Sequence, residues 1–433
     1  MDVKKRIVPL LARSYQHFMH DSLRRSSSFL ILSSAVGAIF GFGFWLICAH
    51  LISSTQIGYS TTLIAYISLI STVTTLGLSN AVIRFLPNHQ NKDEYFGTAL
   101  AITFASSLVI GSLLIESIKH LSPKLSFAIS SPEIFGLLLS FLILTSIGSI
   151  ASSALLAQKD AKNIFIMALW MFPLRSALPL FFPHLKIKGI LTIILVTTLI
   201  GTTYEFCILY KKHHKKLRIN LASLSDSYKF TIGNFTGSIF GILPGTLAPI
   251  IVLNKLGPST AAYFYIAMQF AGLLGIICSS SSQAFLSEAS SDKSPRRYMH
   301  HFAKGFKNMY SLLVPAAVLM AVVGTQLLRF YGYAYYSHGA ILLILLCVAS
   351  LFIGVNWLGD SLLNAQKRPV AYGVMNFINA LLVIVLVYEF AHRGLMAVGY
   401  SWLVAQVGTV IIYIILQYKF LKTYRPRTVS KTA

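Results

Sequence analysis

Two arginines stand in apolar stretches of this chain, and both have the chemistry of an anion ligand. Arg175 follows Phe172-Pro173-Leu174, and a second proline, Pro179, comes four residues later. Prolines at this spacing can break a helix and free backbone carbonyls. The planar guanidinium fits phosphate oxygens better than the ammonium of lysine does. Arg175 and Arg84 are therefore candidate ligands of an anion. Alternatively, Arg175 is structural, because it binds the freed carbonyls or pairs with an acid, and Arg84 anchors the chain at an interface.

Acidic side chains in apolar stretches are the second chemically active class, because such a carboxyl group can gain and lose charge. Asp360 is close in sequence to Asn356 and Gln366, and the three are predicted to form a polar cluster. Glu205 is a further candidate for binding a coupling ion. The alternative for Asp360 is the role of counter-ion to the basic pair Lys367-Arg368.

Cysteine and histidine spacing predicts neither a metal site nor a disulfide framework. The four cysteines each stand alone in an apolar stretch, and adjacent histidines would point apart on a helix. No cofactor and no catalytic residue is predicted, and the protein is not expected to be an enzyme. The residues concerned are Cys48, Cys207, Cys278, Cys347, His213-His214 and His300-His301.

The composition is that of an integral membrane protein. Of 433 residues, 55% are hydrophobic and 11% are charged, against roughly 25% charged residues in soluble domains. Lipid cannot satisfy backbone hydrogen bonds, and long apolar runs without alternation favour helices over a barrel. A helix needs ~20 residues to cross the hydrocarbon core.

Twelve such helices are predicted, and they define an all-α polytopic fold. The first two form a hairpin over Gly41–Pro87. The predicted helices begin near Phe29, Ser60, Glu94, Glu133, Asn163, Gly189, Phe230, Thr260, Phe302, His338, Pro369 and Gly394.

The basic residues are distributed unequally between the two sides of the predicted membrane. Of 36 lysines and arginines, 28 fall on the side of the N-terminus, seven on the opposite side, and Arg175 alone lies within a span. By the positive-inside rule, both termini are cytoplasmic and the protein is a multi-pass protein of the cytoplasmic membrane. This asymmetry explains the formal net charge of +23 without a nucleic-acid partner.

The predicted organisation is two six-helix bundles with basic segments at the ends and between them. Residues 1–27 are predicted to form a basic amphipathic segment on the membrane surface, with a disordered basic tail as the alternative. The bundles span 28–212 and 229–420. A cytoplasmic basic linker, 213–228, joins them, and a basic cytoplasmic tail follows at 421–433.

Short echoes between the halves suggest an internal repeat of six helices. Ala157-Gln158-Lys159 after the fourth span recurs as Ala365-Gln366-Lys367 after the tenth. Gly58 to Tyr66 resembles Gly257 to Tyr265, and Lys188-Gly189-Ile190 resembles Arg393-Gly394-Leu395. Because six is even, both copies have the same orientation. This arrangement predicts a central path between two bundles that rock in alternating access.

Three stretches resemble a known family. They are GFGFW at Gly41–Trp45, LGLSNAVIRFLP at Leu76–Pro87, and the Ala157-Gln158-Lys159 end of the fourth span. They look like the polysaccharide-transporter (Wzx-type flippase) branch of the multidrug/oligosaccharidyl-lipid/polysaccharide (MOP) exporter superfamily. The resemblance implies two like-oriented six-helix bundles around a central cavity.

The resemblance also implies a substrate and partners. The substrate would be an anionic polyprenyl-diphosphate-linked oligosaccharide, moved across the cytoplasmic membrane for surface polysaccharide such as O-antigen. Membrane lipids, and other polysaccharide-assembly proteins, would be partners. A diphosphate needs water or fixed cations on its path through hydrocarbon, and Arg175 and Arg84 are the candidates.

Two other functions fit part of the pattern. A cation-coupled multidrug antiporter of the same superfamily would share the fold but keep a buried carboxylate in its cavity. A membrane-embedded polysaccharide polymerase or glycosyltransferase would need catalytic carboxylates or a long loop outside the membrane. The longest such linker, around His120 to Pro132, is short and has no acid.

Overall fold

The computed structural model describes residues 22–182, 186–212, 216–225, 227–290, 295–366 and 368–423. Most of the predicted amphipathic segment 1–27, the His213-His214 pair, Lys367 and most of the tail 421–433 lie outside these residues. The described part contains helices and turns, without strands.

Twelve helices of the described chain are long and apolar enough to cross a membrane, which confirms the predicted number. In chain order they are α1 Ser22–Leu51, α2 Ser54–Thr74, α3 Lys92–Glu116, α4 Pro132–Ala157, α5 Ala161–Ala177, α6 Ile187–Lys212, α7 Tyr228–Leu256, α8 Pro258–Ser290, α9 Pro295–Leu319, α10 Tyr333–Ala365, α11 Pro369–Phe390 and α12 Leu395–Thr423.

Local sequence explains several helix boundaries. Gly257 has a φ of 95°, in the left-handed region that ends helices, and Pro258 then begins α8. Pro132 likewise begins α4, with Glu133 in the first turn, where the helix dipole favours a negative charge. After Pro315, α9 continues through a π-helical turn at Met320–Gly324.

The chain forms two compact units. The first contains the described parts of Met1–Leu51, Ile70–His120 and Ser126–Phe235, and the second contains those of Ile52–Leu69, Leu121–Leu125 and Thr236–Ala433. The predicted bundle boundaries, 28–212 and 229–420, stay a prediction.

In the first unit, α4 is packed against α3 and α6, and α1 against α5. Hydroxyl groups join α4 to its neighbours: Ser146 is bonded to Ser71 and Thr74 at 3.0 Å each, and Ser149 to Ser79 at 2.9 Å. Ser79 belongs to a short helix, Leu78–Phe85. Because lipid gives helices little hydrophobic reason to associate, such small polar contacts help to hold the unit together.

In the second unit, α10 is the central helix and packs against α8, α9 and α12. The start of α2 also belongs to this unit and packs closely against the start of α8. There Thr55 and Ser259 share a hydrogen bond of 2.9 Å, and a Cβ added to Gly58 would overlap the carbonyl oxygen of Pro258.

The structure corrects one detail of the predicted repeat, which is the position of Gly58 relative to the start of its helix. Helix α2 begins at Ser54, so Gly58 lies inside the helix, whereas its counterpart Gly257 lies in the turn before α8. The ends of α4 and α10 are equivalent, however. The N–H of Asp160 donates to Leu155 O at 2.8 Å, and the N–H of Arg368 donates to Leu363 O at 2.9 Å, in positions 208 residues apart.

Candidate functional site

Arg175 lies in the last turn of α5, two residues after Pro173. It lies within the fifth apolar span, as predicted, but the α-helix ends at Ala177 and a 3-10 turn, Leu178–Phe181, follows. The second proline, Pro179, lies in that turn, which explains why the α-helix ends early. The guanidinium is half-buried at this helix end.

The guanidinium of Arg175 is held by two consecutive threonines of α6. Its Nε donates to Thr197 Oγ1 at 2.8 Å, and its Nη2 donates to Thr198 Oγ1 at 3.1 Å. The hydroxyl of Thr197 donates its own hydrogen bond to the carbonyl oxygen of Ile193 at 2.9 Å, so its lone pairs are left to accept from the arginine. Neutral hydroxyls orient a guanidinium without cancelling its charge, so this site can attract an anion.

Arg84 is exposed at the end of the short helix Leu78–Phe85. Its guanidinium carbon lies 4.3 Å from the ring centroid of Phe230 and 5.5 Å from that of Phe85. Stacking on a ring face stabilises the cation. Because contact with a ring face does not use the N–H donors, these groups can bind an anion.

Gly77 allows the short helix that carries Arg84 to lie close to Phe230. It has a φ of 76°, and an added Cβ would lie 2.6 Å from Thr231 O and 3.2 Å from Phe235 Cβ. Glycine is the residue that adopts this backbone conformation at low cost. The close approach brings the helix of Arg84 against the start of α7, where Phe230 lies.

Asp360 joins three helices of the second unit. Its carboxylate, on α10, accepts hydrogen bonds from Tyr413 Oη of α12 and from Asn376 Nδ2 of α11, the latter at 3.0 Å. Asn376 also donates to Tyr372 O at 3.1 Å. Both donors reach the same oxygen, Oδ1, so Asp360 has the geometry of a residue that holds α10, α11 and α12 together.

The predicted polar cluster is a series of separate contacts. Asn356 Nδ2 donates to Gln406 Oε1 at 2.7 Å, and Gln366 Nε2 donates to Gln417 Oε1 at 3.1 Å. Each member of the cluster on α10 therefore has its own partner on α12. The prediction missed these partners, although they recur at helical spacing: Gln406, Tyr413 and Gln417.

Glu205 lies in the first unit, on α6, with its side chain buried and only 2% exposed. Its Oε1 accepts a hydrogen bond of 2.5 Å from Ser152 Oγ of α4. Ser152 and Glu205 precede Asp360 and Tyr413 by 208 residues each, the offset of the helix ends described above. Equivalent helices in the two units are thus joined by the same kind of contact, with carboxylate and hydroxyl exchanged.

The bond between Tyr413 and Asp360 leads to a stability prediction. Tyr413→Phe is expected to lower the free energy of unfolding by about 1–3 kcal/mol, because a buried carboxylate loses a donor. The measurement is thermal unfolding in detergent. Tyr418→Phe is the control, since Tyr418 is 67% exposed on the same helix. Equal melting temperatures for the two variants would contradict the prediction.

Solved structures with a similar fold are membrane transporters. An inward-facing multidrug resistance MATE family transporter of the MOP superfamily matches with a TM-score of 0.70 and 11% identity, over 91% of this chain and 99% of that chain. An outward-facing one matches with a TM-score of 0.66 and 14% identity, over 93% and 96%.

A third structure is a MOP superfamily transporter from Pyrococcus furiosus, described as having a binding pocket of reverse polarity. It has a TM-score of 0.64 and 12% identity, over 93% of this chain and 95% of that chain. These likenesses confirm the predicted all-α polytopic fold. No curated protein sequence matches the chain.

The sequence identity to these solved structures is too low to assign the chain to a family, but a match to a family model does assign it. The model described as "Polysaccharide biosynthesis protein" matches residues 47–337, from the end of α1 to the start of α10. This range includes Arg84, Arg175 and Glu205. Because the match covers more than half of the chain, the protein belongs to this polysaccharide biosynthesis family.

Proposed function

We propose that this protein is a flippase that moves a polyprenyl-diphosphate-linked oligosaccharide across the cytoplasmic membrane by alternating access. The observation that carries the proposal is the combination of a polysaccharide biosynthesis family match with the fold of MOP superfamily transporters. The biosynthesis of a surface polysaccharide needs a step that moves a carrier-linked sugar through the membrane. The twelve apolar helices found in the described part of the chain supply an architecture that suits that step.

The chemistry of the substrate agrees with the two arginine sites. A diphosphate is costly to bring into hydrocarbon unless fixed cations or water replace its hydration. Arg175 presents a guanidinium fixed by two hydroxyls, and Arg84 presents one fixed by two rings. In this proposal both bind phosphate oxygens during transport. The unequal number of lysines and arginines on the two sides of the predicted membrane supports a cytoplasmic location for both termini and for Arg84.

The proposal is tested by following the lipid-linked oligosaccharide on each leaflet. We expect host cells without the protein to accumulate the precursor on the inner leaflet, and the wild-type chain to restore its movement. Extrusion of cationic amphiphiles is measured in the same strains. Restored extrusion without movement of the precursor would overturn the proposal and favour the multidrug antiporter.

The role of Arg84 can be tested by measuring variants in the same transport assay. Arg84→Ala is expected to slow transport about three- to tenfold, since an exposed ion pair with the anionic substrate contributes about 1 kcal/mol and the charge also steers anions. Arg84→Lys should lose less, because it keeps the charge above the rings. Lys92→Ala, which removes another exposed cation nearby in the sequence, is the control. Equal rates for Arg84→Ala and this control would contradict a role for Arg84.

A further inference from the structure

An apolar groove with a volume of about 550 Å³ lies between α11 and α12 of the second unit. Its floor is buried, because Met375 is 2% exposed and packs with Leu363 and Tyr413. Its rim is open, because Val374 is 49% exposed. A hydrocarbon chain can therefore enter the groove and contact the packed core beneath it. The apolar wall residues are Val370, Val374, Met375 and Ile378 of α11, and Ile412 and Leu416 of α12.

A cation lies at one end of this groove. Arg368 also lines it, and this residue directly precedes α11. The backbone of Arg368 is fixed on both sides, because its N–H donates to Leu363 O at 2.9 Å and its carbonyl oxygen accepts from the N–H of Tyr372 at 3.1 Å. The positive end of the α11 dipole adds to the positive potential there. The positive-inside rule assigns this end to the cytoplasmic side, where the leaflet contains anionic lipids.

The length of the groove fits one leaflet of a bilayer. The stretch of chain from Arg368 to Ile378 rises about 15 Å as a helix, which is half of the ~30 Å hydrocarbon core. An acyl chain that starts at the level of Arg368 therefore ends near the far end of the groove. The polyprenyl chain of the proposed substrate is longer than one leaflet and would extend beyond the groove.

We propose that the groove binds one acyl chain of an anionic glycerophospholipid, with the phosphate of its head group at Arg368. Dispersion contacts with the apolar walls are similar for all acyl chains, so the walls hold the chain without selecting the lipid. The charge of Arg368 selects the head group, because a zwitterionic lipid brings a second cation to the same place. The site does not depend on the proposed flippase function, and it lies outside residues 47–337, which the family model matches.

Charge also argues against the end of the chain as the occupant. The residues after Thr423 include Arg425, Arg427 and Lys431 and no acidic residue, so like charges disfavour their approach to Arg368. An anionic lipid has the complementary charge. Because such a lipid would touch both α11 and α12, we expect it to stabilise the packing of these two helices.

The selection of the head group is tested by native mass spectrometry on the purified full-length protein in neutral detergent micelles. The probes are anionic dioleoylphosphatidylglycerol and zwitterionic dioleoylphosphatidylcholine, which have the same acyl chains. We expect the anionic lipid to bind about fivefold more tightly. Arg368→Gln, which keeps the backbone hydrogen bonds, should bind both lipids equally. Lys307→Gln removes an exposed lysine of α9 and should keep the preference. Equal binding of the two lipids by the wild type, or an unchanged preference in Arg368→Gln, would overturn the proposal.

The groove itself is tested by filling it with a side chain. Val374→Trp should weaken the binding of both lipids, because the indole takes the place of the acyl chain. Val385→Trp is the control, since Val385 is 47% exposed on the same helix and does not line the groove. A Val374→Trp variant that binds both lipids as well as this control does would contradict the assignment of the groove.

A competition experiment separates a bound phospholipid from the carrier of the proposed substrate. Polyprenyl phosphate is added to the complex with dioleoylphosphatidylglycerol at an equal concentration, and we expect the phospholipid to stay bound. Its displacement would assign the groove to the carrier and overturn the proposal, whichever result the transport assay gives.

Discussion

Gly58→Ala is expected to destabilise the protein strongly, because an added Cβ would come closer to another atom here than at any other glycine of the described residues. The added methyl group would overlap the carbonyl oxygen of Pro258 and lie 3.2 Å from the N of Ala262. Both are backbone atoms of α8, so no side chain can turn away to relieve the overlap. The start of α2 would have to move off α8, and the bond between Thr55 and Ser259 would break with it.

Overpacking by a single methyl group usually costs about 1–3 kcal/mol, and contact with rigid backbone places this site at or above the upper end. We expect little folded protein, and an apparent melting temperature about 5 °C or more below that of the wild type. Gly272→Ala is the control. It lies on α8 with no atom within 4 Å of the added Cβ, so its melting temperature should stay the same or rise. A Gly58→Ala variant as stable as this control would show that the two helix ends are not in contact.

Arg175→Ala is expected to reduce transport by tenfold or more while the protein still inserts into the membrane. Loss of one charge-assisted contact to phosphate costs about 1.5–3 kcal/mol, and each 1.4 kcal/mol is a factor of ten. Arg175→Lys should fall between alanine and wild type. Lysine keeps the charge, but its single ammonium cannot reproduce the fork that reaches both Thr197 and Thr198.

A role in transport and a role in folding can be separated at this site. The double variant Thr197→Val and Thr198→Val keeps the charge of Arg175 and removes the hydroxyls that orient it. We expect an intermediate transport rate, measured as precursor reaching the outer leaflet at matched protein levels. Arg175→Ala that transports at the wild-type rate would exclude Arg175 from the substrate path. Loss of membrane insertion in that variant would instead show that the hydrogen bonds to α6 are structural.

The helices were predicted well because the length of an apolar stretch is a strong signal that does not depend on tertiary packing. Nine of the twelve helix starts fall within about five residues of those observed, and α1, α2 and α9 begin six or seven residues earlier than predicted. Helix α2 begins at Ser54, six residues before Ser60. That start depends on packing against α8, which no periodicity in α2 reveals. The early end of α5 could have been read from Pro179, because a proline following a helix turn often marks its end.

The partners of the candidate residues were harder to predict than the residues themselves. Asp360 and Glu205 stood out because acids are rare in apolar stretches, whereas Tyr413 and Ser152 are ordinary residues there. Their role depends on which faces of α4, α6, α10 and α12 meet. The internal repeat was the available signal, because an offset of 208 applied to one pair gives the other.

The exchanged positions of acid and hydroxyl in these two pairs constrain how the halves diverged after duplication. An ancestor with identical halves had one residue combination in both, so at least two substitutions separate the present halves. A stage with two acids would have placed two like charges together in hydrocarbon, which is strongly unfavourable. A stage with two hydroxyls brings no charge into the span, and such a pair is present between Ser149 of α4 and Ser79 of the short helix Leu78–Phe85. We infer that both halves inherited a pair of hydroxyl residues. One substitution then placed an acid on α6 in the first half, and another placed an acid on α10 in the second half.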